Sequence, residues 1–551
     1  MSLKNADRTV LLCCGTGCLA GGSDAVADAL EAALTELGIK ASVKAEVKRT
    51  GCNGFCENGP IITILPDDIT YYNVKPDDCH ELIQKTLIEN QTVDRLLFIG
   101  EDKKRVRSRG ENPFYAPQLK LALRNVGLID PLSIDDYISC GGYEALRRAL
   151  EMTPEEIISE IEASGLRGRG GAGFPTGRKW RSAAAYETFP KYVIANGDEG
   201  DPGAFMDRSI LEGDPHSVIE GLAIAAVAIG AEEGFLYIRD EYGLARENVR
   251  QALIAAGQRG FLGENIFGSG KNLCFSIVRG GGAFVCGESS ALMSSIEGWL
   301  GEPRAKYIRS AERGLWDKPT VLNNVETLAN VPLIISRGGA GFAEVGTENS
   351  KGSKVFALVG KVKRTGLVEV PMGVSLRRLI FDIGGGLKAG RQFKAVQIGG
   401  PSGGCLPAEL LDLPVDFDTL IEYGAMMGSG GLVVMDERDC MVETARYYTQ
   451  FLADESCGKC TPCREGLRHT LDILTDICEG RGQDGDVELL ERIGRAMAEA
   501  SRCALGKSAP NPVLTTIKYF RGEYDAHIKE KRCPARVCKF KEVNAQRRGE
   551  P

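Results

Sequence analysis

Residues 9–14, TVLLCC, form a short apolar run, and residues 23–37 repeat apolar positions at the three-and-four spacing of an amphipathic helix, with Ser23 placed to cap it. Strand-like ASVKAEV, IITIL and ITYYNV follow, and helical HELIQKTL closes the segment, which predicts a small α/β domain over residues 1–92. Residues 93–135 hold mixed charges (GEDKKRVRSRGENP) without a sustained period, as expected of a solvated linker laid over its neighbour. Over residues 136–350, strands YVIAN, GFLYIRD and LCFSIVRG alternate with helical PHSVIEGLAIAAVAIGA and ENVRQALIAAG, the pattern of a mostly parallel sheet. Strands KVFALVGKV, GLVEVP and FKAVQIGG around one short helix, SLRRLIFDI, predict a β-grasp-like domain over residues 351–436. Helical spacing then dominates residues 437–525, and residues 526–551 form a tail. The expectation is an α/β multidomain chain.

Composition narrows the function. The chain of 551 residues has a formal net charge of -8, which argues against a nucleic-acid partner. Its apolar run at residues 221–231 falls far short of the ~20 residues that a membrane span needs. With no leader pattern, the chain reads as soluble and cytoplasmic, with no membrane insertion. Eighteen cysteines in such a chain point to metal or iron–sulfur ligation rather than to disulfides. The 68 glycines, well above the usual share of about 7%, point to cofactor loops.

The densest glycine stretch is residues 165–180, GLRGRGGAGFPTGRKW. Backbone free of Cβ atoms lets a flat, phosphorylated ligand lie against amide groups. Gly168, Gly170 and Gly173 satisfy G-x-G-x-x-G, yet the preceding TPEEIISEIEAS has helical spacing, the wrong context for an ordinary dinucleotide fingerprint. Alone, the stretch reads as a glycine-rich surface loop. Three acids, Asp198, Glu199 and Asp201, stand at the end of the YVIAN strand, where α/β sheets bind ligands. A second glycine-rich loop, GGGAFVCGESS, opens a helix, and Asn323 and Asn324 precede another, where amides can hold a phosphate or ribityl hydroxyls.

The cysteines fall into three sets. Cys13 and Cys18, with Cys52 and Cys56, put four thiols on two glycine-rich loops, suited to a [2Fe–2S] cluster; structural zinc is the competing assignment, and Cys14 could replace Cys13. Cys457, Cys460 and Cys463 form C-x₂-C-x₂-C, and Cys503 in RCALG supplies a fourth ligand for a [4Fe–4S] cluster. His527, Cys533 and Cys538 in the tail, joined by Cys440, make a tetrahedral zinc set; the alternative is a surface histidine beside idle thiols. Cys14, Cys79, Cys140, Cys274, Cys286, Cys405 and Cys478 read as packed small apolar residues.

Taken in order, GRGGAGFPTGRKW, NGDEGDPG, CGESSALMSSIEG, GEPRAK, LNNVET, GGPSGGCLP, ESCGKCTPCREG and CALG resemble, nearly end to end, the flavin subunit (51-kDa type) of respiratory complex I. The likeness is greater to the diaphorase subunits of soluble electron-bifurcating hydrogenases and NAD-dependent formate dehydrogenases. It implies a thioredoxin-like [2Fe–2S] domain, a Rossmann-like FMN domain, a β-grasp (SLBB) domain and a helical bundle with the [4Fe–4S] cluster. The family's longer cysteine spacing favours Cys13 over Cys14. Carried over by motif, FMN would meet Gly168, Gly170, Lys179, Asn196, Asp198, Gly287, Glu288, Asn323 and Asn324, while the nucleotide would stack near Phe174 with Glu199, Asp201 and Lys306 close by. The implied chemistry is hydride transfer between nicotinamide and flavin, with Lys179 and Glu199 in the catalytic site, followed by one-electron steps to the clusters.

Two departures matter. Where relatives carry two consecutive glutamates this chain has Glu288 and Ser289, and Arg309 stands where an aromatic would pack the adenine. Loss of a carboxylate that would repel a 2′-phosphate, with an arginine able to pair with one, predicts NADP(H) use. The chain also lacks the appended ferredoxin-like domain common in bifurcating relatives, so electrons would leave through partners. These would be a complex I 24-kDa-like [2Fe–2S] subunit and a catalytic iron–sulfur subunit of a hydrogenase, formate dehydrogenase, transhydrogenase or other reductase, with ferredoxin a further candidate. The zinc set resembles one in the bifurcating branch. The rival expectation is an electron-transfer scaffold that has lost its nucleotide site.

Overall fold

The computed structural model describes residues 8–38, 45–304, 307 and 309–540. In its N-terminal domain β1 (Arg8–Cys13), β2 (Ala45–Thr50), β3 (Ile62–Leu65) and β4 (Ile69–Tyr71) form one sheet in the order β2-β1-β3-β4. β1 runs parallel to β2 and antiparallel to β3. Helix Ser23–Glu36 lays Val26, Leu30 and Leu34 on Val10, Leu12 and Ile64. Gly22, at φ 90°, takes the cap position expected of Ser23, because glycine enters the helix from left-handed backbone without a Cβ penalty. Successive strand residues face opposite ways, so Cys14 packs on this core while Cys13 turns to the other side.

The stretch expected to be a solvated linker is instead partly built into the fold. It pairs β5 (Phe98–Ile99) with β6 (Arg105–Val106) and buries Phe114, Leu121 and Leu123. The N–H groups of Leu121, Ala122 and Leu123 all donate to the carboxylate of Glu369, so a buried acid pins the segment.

The central sheet is wholly parallel, with β7 (Tyr192–Gly197), β8 (Glu233–Ile238), β9 (Cys274–Arg279) and β10 (Thr320–Asn324) in the order β10-β7-β8-β9. Helix Pro215–Ile229 is buried along its whole length, which explains a sequence apolar on nearly every face. Among the described residues, no helix is long and apolar enough to cross a membrane. Next, β11 (Ser353–Gly360), β12 (Gly366–Pro371), β13 (Phe393–Ile398), β14 (Gly404–Pro407) and β15 (Gly431–Asp436) assemble in the order β12-β11-β15-β13-β14. Only β11 and β15 pair in parallel, and the helical turn Arg378–Ile383 buries Leu379, Ile380 and Ile383, a β-grasp arrangement. Helices Met441–Asp454, Thr461–Cys478, Asp486–Ala500 and Asn511–Ile528 form the C-terminal bundle.

Buried polar contacts tie the units together. Lys354, at the start of β11, sits 2.5 Å from Glu326 in helix Val325–Arg337, and both are fully buried. On the other flank, the N–H of Leu367 in β12 donates to the carbonyl of Gly54 at 2.7 Å, and Thr16 donates through N–H and hydroxyl to the buried Glu212. The cysteine loops of the first domain are thereby clamped between the parallel sheet's domain and the β-grasp sheet.

Candidate functional site

The C-terminal ends of β7 and β10 open onto a cleft of about 310 Å³, the position where parallel sheets place ligands. Its walls come from three units. The parallel-sheet domain contributes Gly170, Asn196, Asp198, Glu199, Asp201, Gly287, Glu288, Ser289 and Asn324; the β-grasp domain contributes Gly399, Ser402, Met426, Gly428 and Ser429; the bundle contributes Ala504, Leu505 and Ser508.

The glycine loop is held from behind by Arg169, whose N–H donates to the Thr327 hydroxyl and whose guanidinium donates to the carbonyls of Arg167 and Lys351. Gly173 has φ +61°, and a Cβ there would lie 2.6 Å from the Phe417 ring. A Cβ on Gly170 would approach Asn324 to 3.0 Å, so this cradle accepts no side chain without a shift. The Asn196 side chain donates to the carbonyl of Gly287 at 3.0 Å, joining the strand end to the second glycine-rich turn. The Glu288 carboxylate caps helix Ser289–Ile296 by accepting from the N–H groups of Ser290 and Ala291.

Besides Glu288, four acids line the cleft, and each has a distinct environment. Glu199 accepts from the N–H groups of Met206, Asp207 and Arg208, so its charge is spent on the start of helix Met206–Gly213. Asp207, which no sequence motif singled out, accepts from the Asn324 amide at 2.5 Å, and burial pushes its carboxyl well above the usual range. Asp201 accepts from the Ser429 hydroxyl, and burial raises it to about 6. Asp198 differs: both carboxyl oxygens are buried without a protein partner, and burial raises it to about 7. An acid left in that state calls for a donor from a ligand. A Cβ-free cradle, facing amides and an orphaned carboxylate suit the amide and hydroxyl donors of FMN.

Other residues singled out from the sequence lie elsewhere. Asn323 points to the opposite side of β10 from Asn324 and accepts from the indole N–H of Trp180 at 2.9 Å, so only one of the paired asparagines faces the cleft. Lys179 donates to the carbonyl of Leu322 at 2.8 Å, and burial lowers its pKa to about 8. Neither it nor Gly168 is among the residues that line the cleft, and the Gly168 N–H is bonded to the Phe174 carbonyl. Phe174 is exposed, with the Arg178 guanidinium over its ring. Arg309 is also exposed and outside the cleft wall, and Lys306 lies outside the described residues.

Cys457, Cys460, Cys463 and Cys503 line a single small cavity together with Val285, Pro303, Ser456, Lys459, Arg502 and Leu505. Val285 and Leu505 also line the large cleft, so one layer of side chains separates the two. In the N-terminal domain Cys13 Sγ lies 3.0 Å from Cys18 Sγ and accepts from the N–H of Asn53, while Cys52 and Cys56 Sγ are 3.9 Å apart. A Cβ on Gly59 would come within 2.6 Å of Cys18 Sγ, so glycine there leaves the sulfur its space.

At the bundle's end, Cys440, His527, Cys533 and Cys538 bring their ligand atoms within 4.8 Å of one another. His527 Nε2 lies 3.5 Å from Cys440 Sγ and 3.4 Å from Cys538 Sγ, and its Nδ1 faces the Glu523 carbonyl at 2.7 Å. Cys478, expected only to pack, also groups with Glu443 and Cys538. Of the cysteines expected to be packed, Cys140 and Cys274 are instead exposed.

Comparison with known proteins agrees with this layout. Residues 161–333 match the Nuo51 FMN-binding domain, residues 443–527 the NADH-ubiquinone oxidoreductase-F iron-sulfur binding region, and residues 2–87 the thioredoxin-like [2Fe-2S] ferredoxin. The chain is 53% identical to the NADP-reducing hydrogenase subunit HndC of Solidesulfovibrio fructosivorans over 76% of its own length and 86% of that relative. It is 48% identical to the F 2 subunit of NADH-quinone oxidoreductase of Rhizobium meliloti (strain 1021), over 75% of its length and 98% of the relative. Among solved structures, the air-oxidized NAD+-reducing [NiFe]-hydrogenase superposes with a TM-score of 0.66 at 30% identity, covering 95% of this chain and 86% of that one.

Proposed function

Because the chain belongs to the family of FMN- and iron–sulfur-binding subunits of NADH-quinone oxidoreductases and related hydrogenases, we propose that it exchanges reducing equivalents between NADP(H) or NAD(H) and FMN in the cleft and passes single electrons through its clusters to partner subunits. The observation that carries this reading is the wall shared by the cleft and the four-cysteine cavity, Val285 and Leu505, which leaves a short path between a two-electron and a one-electron centre. FMN supplies the conversion between those modes.

In this reading Gly170, Asn196, Asp198, Gly287 and Asn324 bind the flavin, and the exposed ring of Phe174, in the same glycine loop as Gly170, is the face offered to the nucleotide. Glu199 positions helix Met206–Gly213 rather than moving protons, since its oxygens already accept three backbone N–H groups. Ser289 in the wall, beside a Glu288 whose charge is engaged by its own helix, favours a nucleotide with a 2′-phosphate. The exposed Arg309 guanidinium, free of protein partners among the described residues, is a reserve of positive charge for it.

The second cluster site supports a branched path and hence electron bifurcation. Its loops dock through Thr16 on Glu212, at the far end of the helix that Glu199 caps. The set Cys440, His527, Cys533 and Cys538 suits structural zinc, with three sulfurs, one imidazole and a carbonyl fixing the ring. The partners in this reading are a small [2Fe–2S] subunit and a catalytic iron–sulfur subunit in a cytoplasmic complex. Anaerobic bleaching of the flavin by NADH and by NADPH tests the nucleotide assignment. Faster bleaching by NADPH is expected, with a reversed preference in Ser289→Glu; a strong preference for NADH in the native chain rejects the NADP(H) assignment.

A further inference from the structure

The loops that carry Cys13, Cys18, Cys52 and Cys56 are pressed against chain from outside their own domain. A Cβ on Gly51 would lie 2.3 Å from Gly213 Cα, so the backbone just before Cys52 rests directly on the end of helix Met206–Gly213. Thr16, between Cys13 and Cys18, donates its N–H to Glu212 of the same helix at 2.9 Å. Arg208 stands one turn before Glu212, with its guanidinium over the rings of Phe205 and Tyr242 at 5.4 and 5.5 Å. Two aromatic faces fix where that charge sits. Its Nε is 3.8 Å from a Glu212 oxygen, too far for a hydrogen bond, and is buried without a partner.

A second orphaned donor comes from the segment between the first two domains. The Tyr115 hydroxyl is buried without a partner, and its ring packs with Phe55, Cys13 and Cys18 in one apolar cluster. Burial, and after it the nearby Tyr72, Cys13 and Cys52, pushes this hydroxyl well above its ordinary range, so it keeps its proton and remains a donor. The Cys52 thiol is held well below its own range by the neighbouring Cys13 and Cys56, and the Arg208 charge adds to that effect. Two buried donors without acceptors beside four thiols call for an acceptor that those thiols hold, and cluster sulfur is one.

We infer that Arg208 and Tyr115 set the reduction potential of the [2Fe–2S] cluster, supplying a positive charge and a hydroxyl donor from outside the domain that ligates it. Reduction adds one negative charge to the cluster, and a nearby cation and hydrogen-bond donor stabilise that state over the oxidised one. Docking on helix Met206–Gly213 therefore makes the cluster a better holder of a single electron than its own loops alone would. The inference rests on the match of residues 2–87 to a [2Fe-2S] domain and not on the nucleotide reaction.

The test is an anaerobic potentiometric titration of the cofactor-loaded full chain with dithionite and mediators, without nucleotide, in which electron paramagnetic resonance reads both clusters in each sample. Arg208→Gln should lower the equilibrium constant for reducing the [2Fe–2S] cluster at least tenfold, about 59 mV for a one-electron couple, and leave the [4Fe–4S] midpoint unchanged. Arg208→Lys, which keeps the charge, should recover most of that loss. Tyr115→Phe keeps the ring and its packing and should lower the constant at least threefold; it decides the question where Arg208→Gln loads no cluster. An unchanged [2Fe–2S] midpoint in either loaded variant, a shift shared equally by both clusters, or an Arg208→Lys midpoint as low as that of Arg208→Gln would each overturn the inference. Failure of both nucleotides to bleach the native flavin, with these shifts intact, would reject the nucleotide reading alone.

Discussion

Asp198 offers a quantitative test of the cleft, because its carboxyl is buried, lacks a protein partner and is raised from 3.8 to about 7. A flavin donor can bond its ionised form, and ligand binding then competes with a proton. For a group titrating near 7, the apparent dissociation constant should be about tenfold larger at pH 6 than at pH 8, or about 1.4 kcal/mol, and level above that. The sign for the ligand-free fold is opposite. A folded-state pKa above the unfolded one stabilises only at low pH, so the unpaired carboxylate weakens the empty protein progressively between pH ~4 and ~7, by about 4 kcal/mol at most. Asp198→Asn removes both effects: the flavin-free variant should be the more stable at pH 8, and its flavin affinity should be weaker and independent of pH. Fluorescence quenching of riboflavin by the deflavinated chain is the assay, since the phosphate of FMN titrates near 6 and would blur the slope. A flat profile in the native chain, or a slope that survives in Asp198→Asn, refutes the assignment of this carboxylate to the flavin.

Three further outcomes follow from the geometry. Glu326→Gln leaves Lys354 buried without its counter-charge and should cost about 3–5 kcal/mol, read as a lower urea midpoint for flavin release. Cys13→Ser should abolish the electron paramagnetic resonance signal of the reduced [2Fe–2S] cluster whereas Cys14→Ala should keep it, because Cys13 at the end of β1 and Cys14 just after it pack into different clusters. Cys533→Ser should lose one equivalent of zinc by elemental analysis while both iron–sulfur signals persist; unchanged zinc content would reject the tail site.

Much of this layout was legible in the chain. Alternating βα spacing foreshadowed the parallel sheet, and ESCGKCTPCREG with Cys503 foreshadowed the four-cysteine cavity, because both signals are local and periodic. The N-terminal cap moved from Ser23 to Gly22 because propensity cannot anticipate which residue takes the left-handed turn. Asn323 and Asn324 looked equivalent until strand register turned one of them toward Trp180. The cleft's other walls, Met426, Ser429 and Leu505, come from distant segments and carry no motif of their own chemistry; the glycines of GGPSGG and the CALG stretch were the available hints. Glu199 does line the cleft, but the three backbone N–H groups that its carboxylate accepts come from a helix start that its motif does not show.

In the proposed function the cleft links a nucleotide, a flavin and an adjacent cluster. Anaerobic titration of the purified full chain with NADPH and with NADH, read by flavin absorbance and by electron paramagnetic resonance on the same samples, tests it most directly. Nucleotide is expected to bleach the flavin band, and the [4Fe–4S] signal to grow with it. A flavin that stays oxidised under both nucleotides, or one that bleaches while the cluster remains silent, would contradict it.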